Sequence, residues 1–263
     1  MIMKYIPESL MQEIIDKAMF VCVEDAYERT LKSEKLERKA LQKMAQVHSF
    51  RMEHPHTIVP YSVPKNGHKK SMRKGVINLR RAFRWACENL DLENFDASFL
   101  RGVNGRIFPG VYEGDMAPYR DRGTTISGSS VTPPYPAKLI TKEIPNFESA
   151  VRERASENPG DLLELAIYIH YHTSRMHPFY DGNGRTARIV QDAILDSTGL
   201  PPPIIEAGER ETYYQLLRGA DVDWKRNKNW ENEDLVTPGE KLFYTFMAGK
   251  VNSSLDKLVC AIR

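Results

Sequence analysis

His177-Pro178-Phe179-Tyr180-Asp181-Gly182-Asn183-Gly184-Arg185-Thr186-Ala187-Arg188 places an imidazole, a carboxylate, two glycines and two arginines within twelve residues. Each of these groups has a use in handling a polyphosphate. Glycine and asparagine tolerate positive φ and let a ligand come close to the backbone, so 181–184 is expected to form a tight turn. If a helix begins there, the amides of Gly182, Asn183 and Gly184 sit at the positive end of its dipole and can cradle phosphate oxygens. Arg185 and Arg188 start one turn apart, and guanidinium forks suit phosphate oxygens better than a point charge does. Asp181 could hold Mg2+ bridging two phosphates. His177, four residues earlier, could take a proton from an attacking hydroxyl. The set is what phosphoryl or nucleotidyl transfer needs, because positioning and charge neutralisation supply most of that catalysis.

Two helices must hold the motif. Asp161 to Arg175 has apolar residues (Leu162, Leu163, Leu165, Ala166, Ile167, Ile169) on more than one face, which predicts a buried central helix. Arg185 to Ser197 has helical apolar spacing through Ile189, Val190, Ala193 and Ile194, and Gly199 with Pro201 to Pro203 stops it. Two other features compete for chemical roles. Gly102-Val103-Asn104-Gly105-Arg106 repeats Asn-Gly-Arg without the preceding histidine and acid, and reads as a surface turn. His170, His172 and His177 suggest zinc, but His170 and His172, two apart on a helix, point about 200° from each other, so structural roles suit those two better.

The pattern resembles the Fic family signature H-P-F-x-[DE]-G-N-G-R-x-x-R, matched at every specified position, and the likeness extends more loosely over roughly residues 76–220. It implies an all-α, mostly helical Fic fold with a small β-hairpin flap. It also implies an activity: transfer of AMP from ATP to a Tyr, Thr or Ser hydroxyl of a target protein, with Mg2+ as cofactor. On that resemblance His177 is the base and Asp181 the metal ligand. Gly182, Asn183 and Gly184 line the anion hole, Arg185 and Arg188 grip the phosphates, and Phe179 anchors the loop. The flap, which clamps the target by strand addition, falls on 124–135 with Thr125, Ile126, Ser127 and Gly128 at its centre, after an entrance at Tyr119 and Arg120. Tyr213, Tyr214 and Asp221 resemble the lining of the adenine and ribose pocket, although some relatives have asparagine where Asp221 stands. Many relatives restrain themselves with [ST]-x-x-x-E-[GN], whose nearest match is Ser49 to Glu53 followed by His54. There, Glu53 would pair with Arg188. Other members transfer phosphate, UMP or phosphocholine, or remove AMP. A nucleotide-binding regulatory module without turnover is a reading from another class.

The rest of the chain sets bounds. Its 263 residues can bury an ample core. The expected division is an N-terminal helical extension (1–75), the core (76–220) and a C-terminal loop and helix (221–263). Residues 7–52 suggest two or three helices broken near Asp25 or Ser33. Glu53 to Gly75 reads as a basic loop, 77–90 as an amphipathic helix, and Asp221 to Gly239 as an exposed loop before a last helix from about Glu240. A net charge of +2 does not announce nucleic-acid binding. Cys22, Cys87 and Cys260 are far apart, fit a reducing cytoplasm and lack metal spacing. No apolar run approaches a membrane span, and no signal pattern opens the chain. A cytoplasmic protein is expected, although an effector secreted by a dedicated machine would carry no signal legible here. Exposed helices could pair two copies as a homodimer.

Overall fold

Asn158 starts the central helix: its Oδ1 accepts from the N–H groups of Gly160 (2.8 Å) and Asp161 (3.4 Å), and Pro159 fills the first helical position, where a missing N–H costs nothing. The computed structural model describes residues 5–24, 28–53, 69–126 and 129–262. The helices are α1 (Glu8–Glu24), α2 (Glu28–Glu53), α3 (Lys69–Asn89), α4 (Ser98–Ile107), α5 (Pro136–Lys138), α6 (Ile144–Glu153), α7 (Pro159–Met176), α8 (Asn183–Ser197), α9 (Arg210–Asn227) and α10 (Pro238–Ile262). A π-helical turn, Leu139–Glu143, joins α5 to α6. Among the described residues there is no strand.

The short turn 177–182 forces α7 and α8 into an antiparallel pair at the centre. Nearly all of α7 is buried, as an apolar surface on more than one face requires. α3 and α4 pack on one side of α8, and α2 reaches its end. On the other side α10 is covered by α9, α1 and α2. The C-terminal part is fastened to α7 through Arg175, which donates to Glu143 Oε2 (2.9 Å) and lies 4.2 Å from the Trp224 ring and 5.5 Å from that of Trp230. Trp230 Nε1 donates to the same carboxylate oxygen at 3.0 Å. A buried charge with both a carboxylate and aromatic faces is well compensated.

Several expectations need correction. The all-helical class holds, but the 124–135 segment forms no β-hairpin among the described residues. Ser127 and Gly128 lie outside them, and Ser129 N–H turns back to Ile126 O at 3.0 Å. Pro133 and Pro134 have no amide to give a ladder, and the Pro134 carbonyl is taken by the Arg120 guanidinium. Gly102 to Arg106 is not a surface turn but the buried second half of α4. Its glycines admit close neighbours: a Cβ on Gly102 would lie 2.4 Å from the Trp85 ring, and one on Gly105 only 1.8 Å from the Asp115 carbonyl. Helix α9 runs on to Asn227, burying Asp221 and Trp224, so the loop expected from 221 begins only at Lys228. The basic loop is shortened at both ends, since Glu53 closes α2 and Lys69 opens α3. Residues 54–68 lie outside the described ones. Ser33 falls inside α2, and Asp25 lies outside the described residues.

Candidate functional site

His177 caps the C-terminus of α7 in the left-handed region (φ 49, ψ 56), which a non-glycine residue adopts at a cost. The surroundings hold it there. Its N–H donates to Thr173 O (3.1 Å), Pro178 ends the helix, and Arg120 Nε donates to its carbonyl at 2.8 Å. Arg120, 1% exposed, also donates to carbonyls of Arg122 (2.9 Å), Pro134 and Met176 (3.4 Å), so it staples the 119–135 segment onto the end of α7. The His177 Nδ1 faces the Ser174 carbonyl at 3.4 Å, which places a proton on Nδ1 and leaves the Nε2 lone pair available. Burial lowers the imidazole pKa below its usual value, against an upward pull from the Ser174 carbonyl, so the ring is neutral at pH 7.

The turn after it is closed by two side chains. Asn183, 2% exposed, accepts from Phe179 N–H (2.8 Å) and donates to Phe179 O (2.9 Å), while Phe179 is buried at 1% exposure. The Asn183 side chain therefore serves the turn. Both ends of its amide close the loop, and only its backbone N–H can face a ligand. Asp181 is exposed, and its Oδ1 accepts from Gly182 N–H (2.6 Å) and Arg185 Nη2 (3.0 Å). Gly182 has φ 79, and a Cβ there would lie 2.8 Å from both Asn104 Nδ2 and the Phe108 ring. Asn104 Nδ2, from the misread α4 segment, donates to Asp181 O (2.9 Å) and Thr186 Oγ1 (3.0 Å). The first intrahelical bond of α8 is Thr186 N–H to Gly182 O at 2.8 Å, so the amides of residues 183–185 precede the ladder and have no carbonyl within the helix to satisfy them.

Arg188 reaches α2. Its Nε donates to Ser49 Oγ (2.8 Å), and its Nη2 to Ser49 O (3.2 Å) and Glu53 Oε1 (2.7 Å). The Glu53 oxygen lies 2.9 Å from where a Cβ on Gly184 would stand, so this carboxylate sits at the N-terminus of α8. Burial would raise the Glu53 pKa, but the Arg188 charge and hydrogen bond prevail and lower it; the same carboxylate raises that of Arg188. Arg210 Nε holds the end of the same helix through Met52 O (2.9 Å), with its guanidinium 4.8 Å from the Tyr214 ring.

One cavity of about 530 Å³ is lined by His177, Gly184, Arg188 and Glu53, by Thr125 and Ile126, and by Tyr213, Tyr214 and Asp221; Asp181, Gly182, Asn183 and Arg185 are not among its lining residues. That volume is within the usual range for a small-molecule site. Ser174 Oγ, Arg188 Nη1 and Asp221 Oδ1, on residues lining it, are buried with no hydrogen-bond partner. Buried polar atoms are rarely left so, and their concentration here marks a place for a ligand. Burial pushes the Asp221 carboxyl up to about 7, with Arg175 opposing. Tyr213 has a core role as well, since its hydroxyl meets His170 Nε2 at 2.7 Å. His170 and His172 are structural: His170 lies between Tyr213 and Gln191, His172 is wedged 4.2 Å from the Tyr168 ring, and burial lowers the pKa of His170 to about 3 and holds that of His172 well below the usual histidine value. Sequence reasoning missed Asn104 and Arg210. The spaced glycines Gly102 and Gly105 beside Asn104 were the available signal of close helix packing.

Residues 94–195 match the sequence model of the Fic/DOC family. Over 104 residues the chain is 39% identical to a Nematostella vectensis protein named protein adenylyltransferase Fic, a stretch that covers 39% of this chain and 23% of that one. It is 45% identical over 103 residues to the Drosophila persimilis protein of the same name, covering 38% of this chain and 17% of that one. The match thus spans less than a quarter of these relatives. The fold is similar to that of a Fic domain containing signaling protein from Bacteroides thetaiotaomicron, with a TM-score of 0.68 and 19% identity over 96% of this chain and 97% of the other.

Proposed function

With residues 94–195 forming a Fic/DOC-family domain, we propose that the chain is a protein adenylyltransferase, moving AMP from ATP to a Tyr, Thr or Ser hydroxyl of a target protein. The observation that carries this reading is the convergence on one cavity of a neutral imidazole, a helix N-terminus and Arg188, with buried polar atoms around them that lack partners. The names of the relatives support the transferred group.

The chain's own residues divide the work. His177 Nε2 takes the proton of the target hydroxyl as its oxygen bonds to the α-phosphorus, and the bond to pyrophosphate breaks. The amides at the start of α8, with Arg185 and Arg188, hold the phosphate oxygens and the charge that grows on the leaving group. Tyr213, Tyr214 and Asp221 enclose the base and ribose. The backbone around Thr125 and Ile126 receives the target segment by strand addition. Asp181 fits Mg2+, which takes few protein ligands when it rides on phosphates: it is a single exposed carboxylate, and the described residues hold no group of three acids, histidines or cysteines that would cage an ion. Bound there, Mg2+ would supply positive charge that offsets that of the phosphates.

Glu53 restrains this site. Its carboxylate occupies the anion position at the start of α8 and holds the guanidinium that a γ-phosphate would need. No described helix is long and apolar enough to cross a membrane.

The test supplies Mg2+ with ATP labelled on the α- or, separately, the γ-phosphate to wild type, Glu53→Gly and His177→Ala, with self-modification as the readout. Label from the α position alone, lost in His177→Ala, supports adenylyl transfer. Label from the γ position would replace it with kinase chemistry. Absence of label in every variant, with ATP still bound, would favour a binding module.

A further inference from the structure

We propose that Asn104 is a positioning residue that sets the polarity of the anion cradle by fixing the orientation of the Asp181–Gly182 peptide. The inference rests on the adenylyltransferase reading for its catalytic consequence, but its core is a statement about anion binding.

The peptide is trans, as all described ones are, so its C=O and N–H point in opposite directions. Asn104 is fully buried, and its Nδ2 draws the Asp181 carbonyl inward at 2.9 Å. The Gly182 N–H must then face outward, where it meets a carboxylate oxygen of Asp181 at 2.6 Å. That oxygen is an anion already resting on the cradle. Turn the same peptide over and a carbonyl oxygen replaces the N–H, so the site would repel phosphate. Within the turn the flip is opposed by that exposed carboxylate, which a bound anion would displace; Gly182 (φ 79) tolerates the backbone rotation, and α8 begins only after it. Asn104 prevents it, and the second Nδ2 hydrogen, donated to Thr186 Oγ1 at 3.0 Å, fixes which way the amide faces. The other end of the amide is informative too. Asn104 Oδ1 is buried without a partner, a cost that an apolar side chain in α4 would avoid. The residue is therefore poorly explained by packing alone and well explained by its two donations.

Titration calorimetry with inorganic pyrophosphate and with ATP on Asn104→Asp and Asn104→Leu, in the Glu53→Gly background, tests this without requiring turnover. Aspartate keeps the shape but offers an oxygen to the Asp181 carbonyl. Leucine keeps the branching but carries no polar atom, so it withdraws both donations, from the Asp181 carbonyl and from the buried Thr186 hydroxyl. Both variants are expected to bind pyrophosphate and ATP at least about tenfold more weakly, while thermal melting stays cooperative. Thr186→Val, which removes the anchor but not the contact to Asp181, should lose less than half as much on a logarithmic scale. Unchanged affinity in either folded Asn104 variant would overturn the proposal and leave Asn104 a packing residue. Weakened binding in a protein that transfers no label under any condition would uphold the cradle assignment and overturn the adenylyltransferase reading instead. If Asn104→Asp fails to fold, the leucine variant alone decides.

Discussion

Replacing Glu53 by glycine should make the protein more active and less stable at once. In the structure Arg188 Nη2 and Glu53 Oε1 are 2.7 Å apart, with the arginine side chain 9% and the glutamate 29% exposed. A charge-assisted hydrogen bond of this kind contributes about 1.5–3 kcal/mol. On the proposed function ATP displaces it to place its γ-phosphate, so its removal should raise kcat/KM for ATP by roughly ten- to a hundredfold. The gain stays below complete release, because Ser49 Oγ and O still hold Arg188 and Arg210 still holds Met52 O. Without nucleotide, the same change leaves a nearly buried guanidinium short of its carboxylate. That costs about 1–3 kcal/mol after allowance for the exposure of Glu53, or a fall in Tm of about 2–4 °C per kcal/mol. Saturating ATP should return most of that loss. Initial rates of α-label transfer across ATP concentrations, with melting curves with and without ATP, report both effects. Because the Glu53 pKa is depressed, the latch is complete above the ordinary carboxylate range and is lost only as pH falls through its lowered value. Wild-type activity should therefore not be relieved between pH 6 and 9. Wild-type kcat/KM in Glu53→Gly, or a loss of stability that ATP does not restore, would refute the reasoning.

Four further outcomes are expected. His177→Ala should abolish transfer while calorimetry still shows ATP binding. Since burial lowers the imidazole pKa, the acid limb of wild-type kcat/KM should fall below the usual histidine value, and a limb at or above about 6.5 would contradict the buried neutral ring. Gly182→Ala should lower stability by about 1–3 kcal/mol, read as a Tm shift, because alanine resists φ 79 and its methyl meets Asn104 Nδ2 and the Phe108 ring at 2.8 Å. Asp221 titrates near 7 through burial, so raising pH through that value puts a negative charge in the cavity and should raise KM for ATP. Asp221→Asn should flatten that dependence, and an unchanged pH profile would remove Asp221 from the nucleotide's surroundings.

The twelve residues from His177 to Arg188 were legible because their meaning is local. Glycine at a positive φ, a proline after the helix end and arginines one turn apart dictate a turn between two helices wherever the chain goes. The buried character of α7 was equally plain, since apolar residues on more than one face leave no side for water. Periodicity could not carry the reading past Asp221, where charged residues on one face of α9 hid the continuation of the helix to Asn227. The same limit applied to Gly102–Arg106. Glycines that mark a turn in isolation are, inside α4, the positions where Trp85 and the Asp115 carbonyl come close. What tertiary structure alone decided is which distant groups meet. Arg188 could have faced solvent or a phosphate, and it faces Ser49 and Glu53, more than 130 residues away in the chain. Asn104 could have been a turn residue, and it orients the peptide on which the anion cradle depends. Local sequence determines backbone conformation through φ preference and hydrophobic period. The pairing of a charge with its counterion is determined by the packing of whole helices, a sum over the core that no short motif contains.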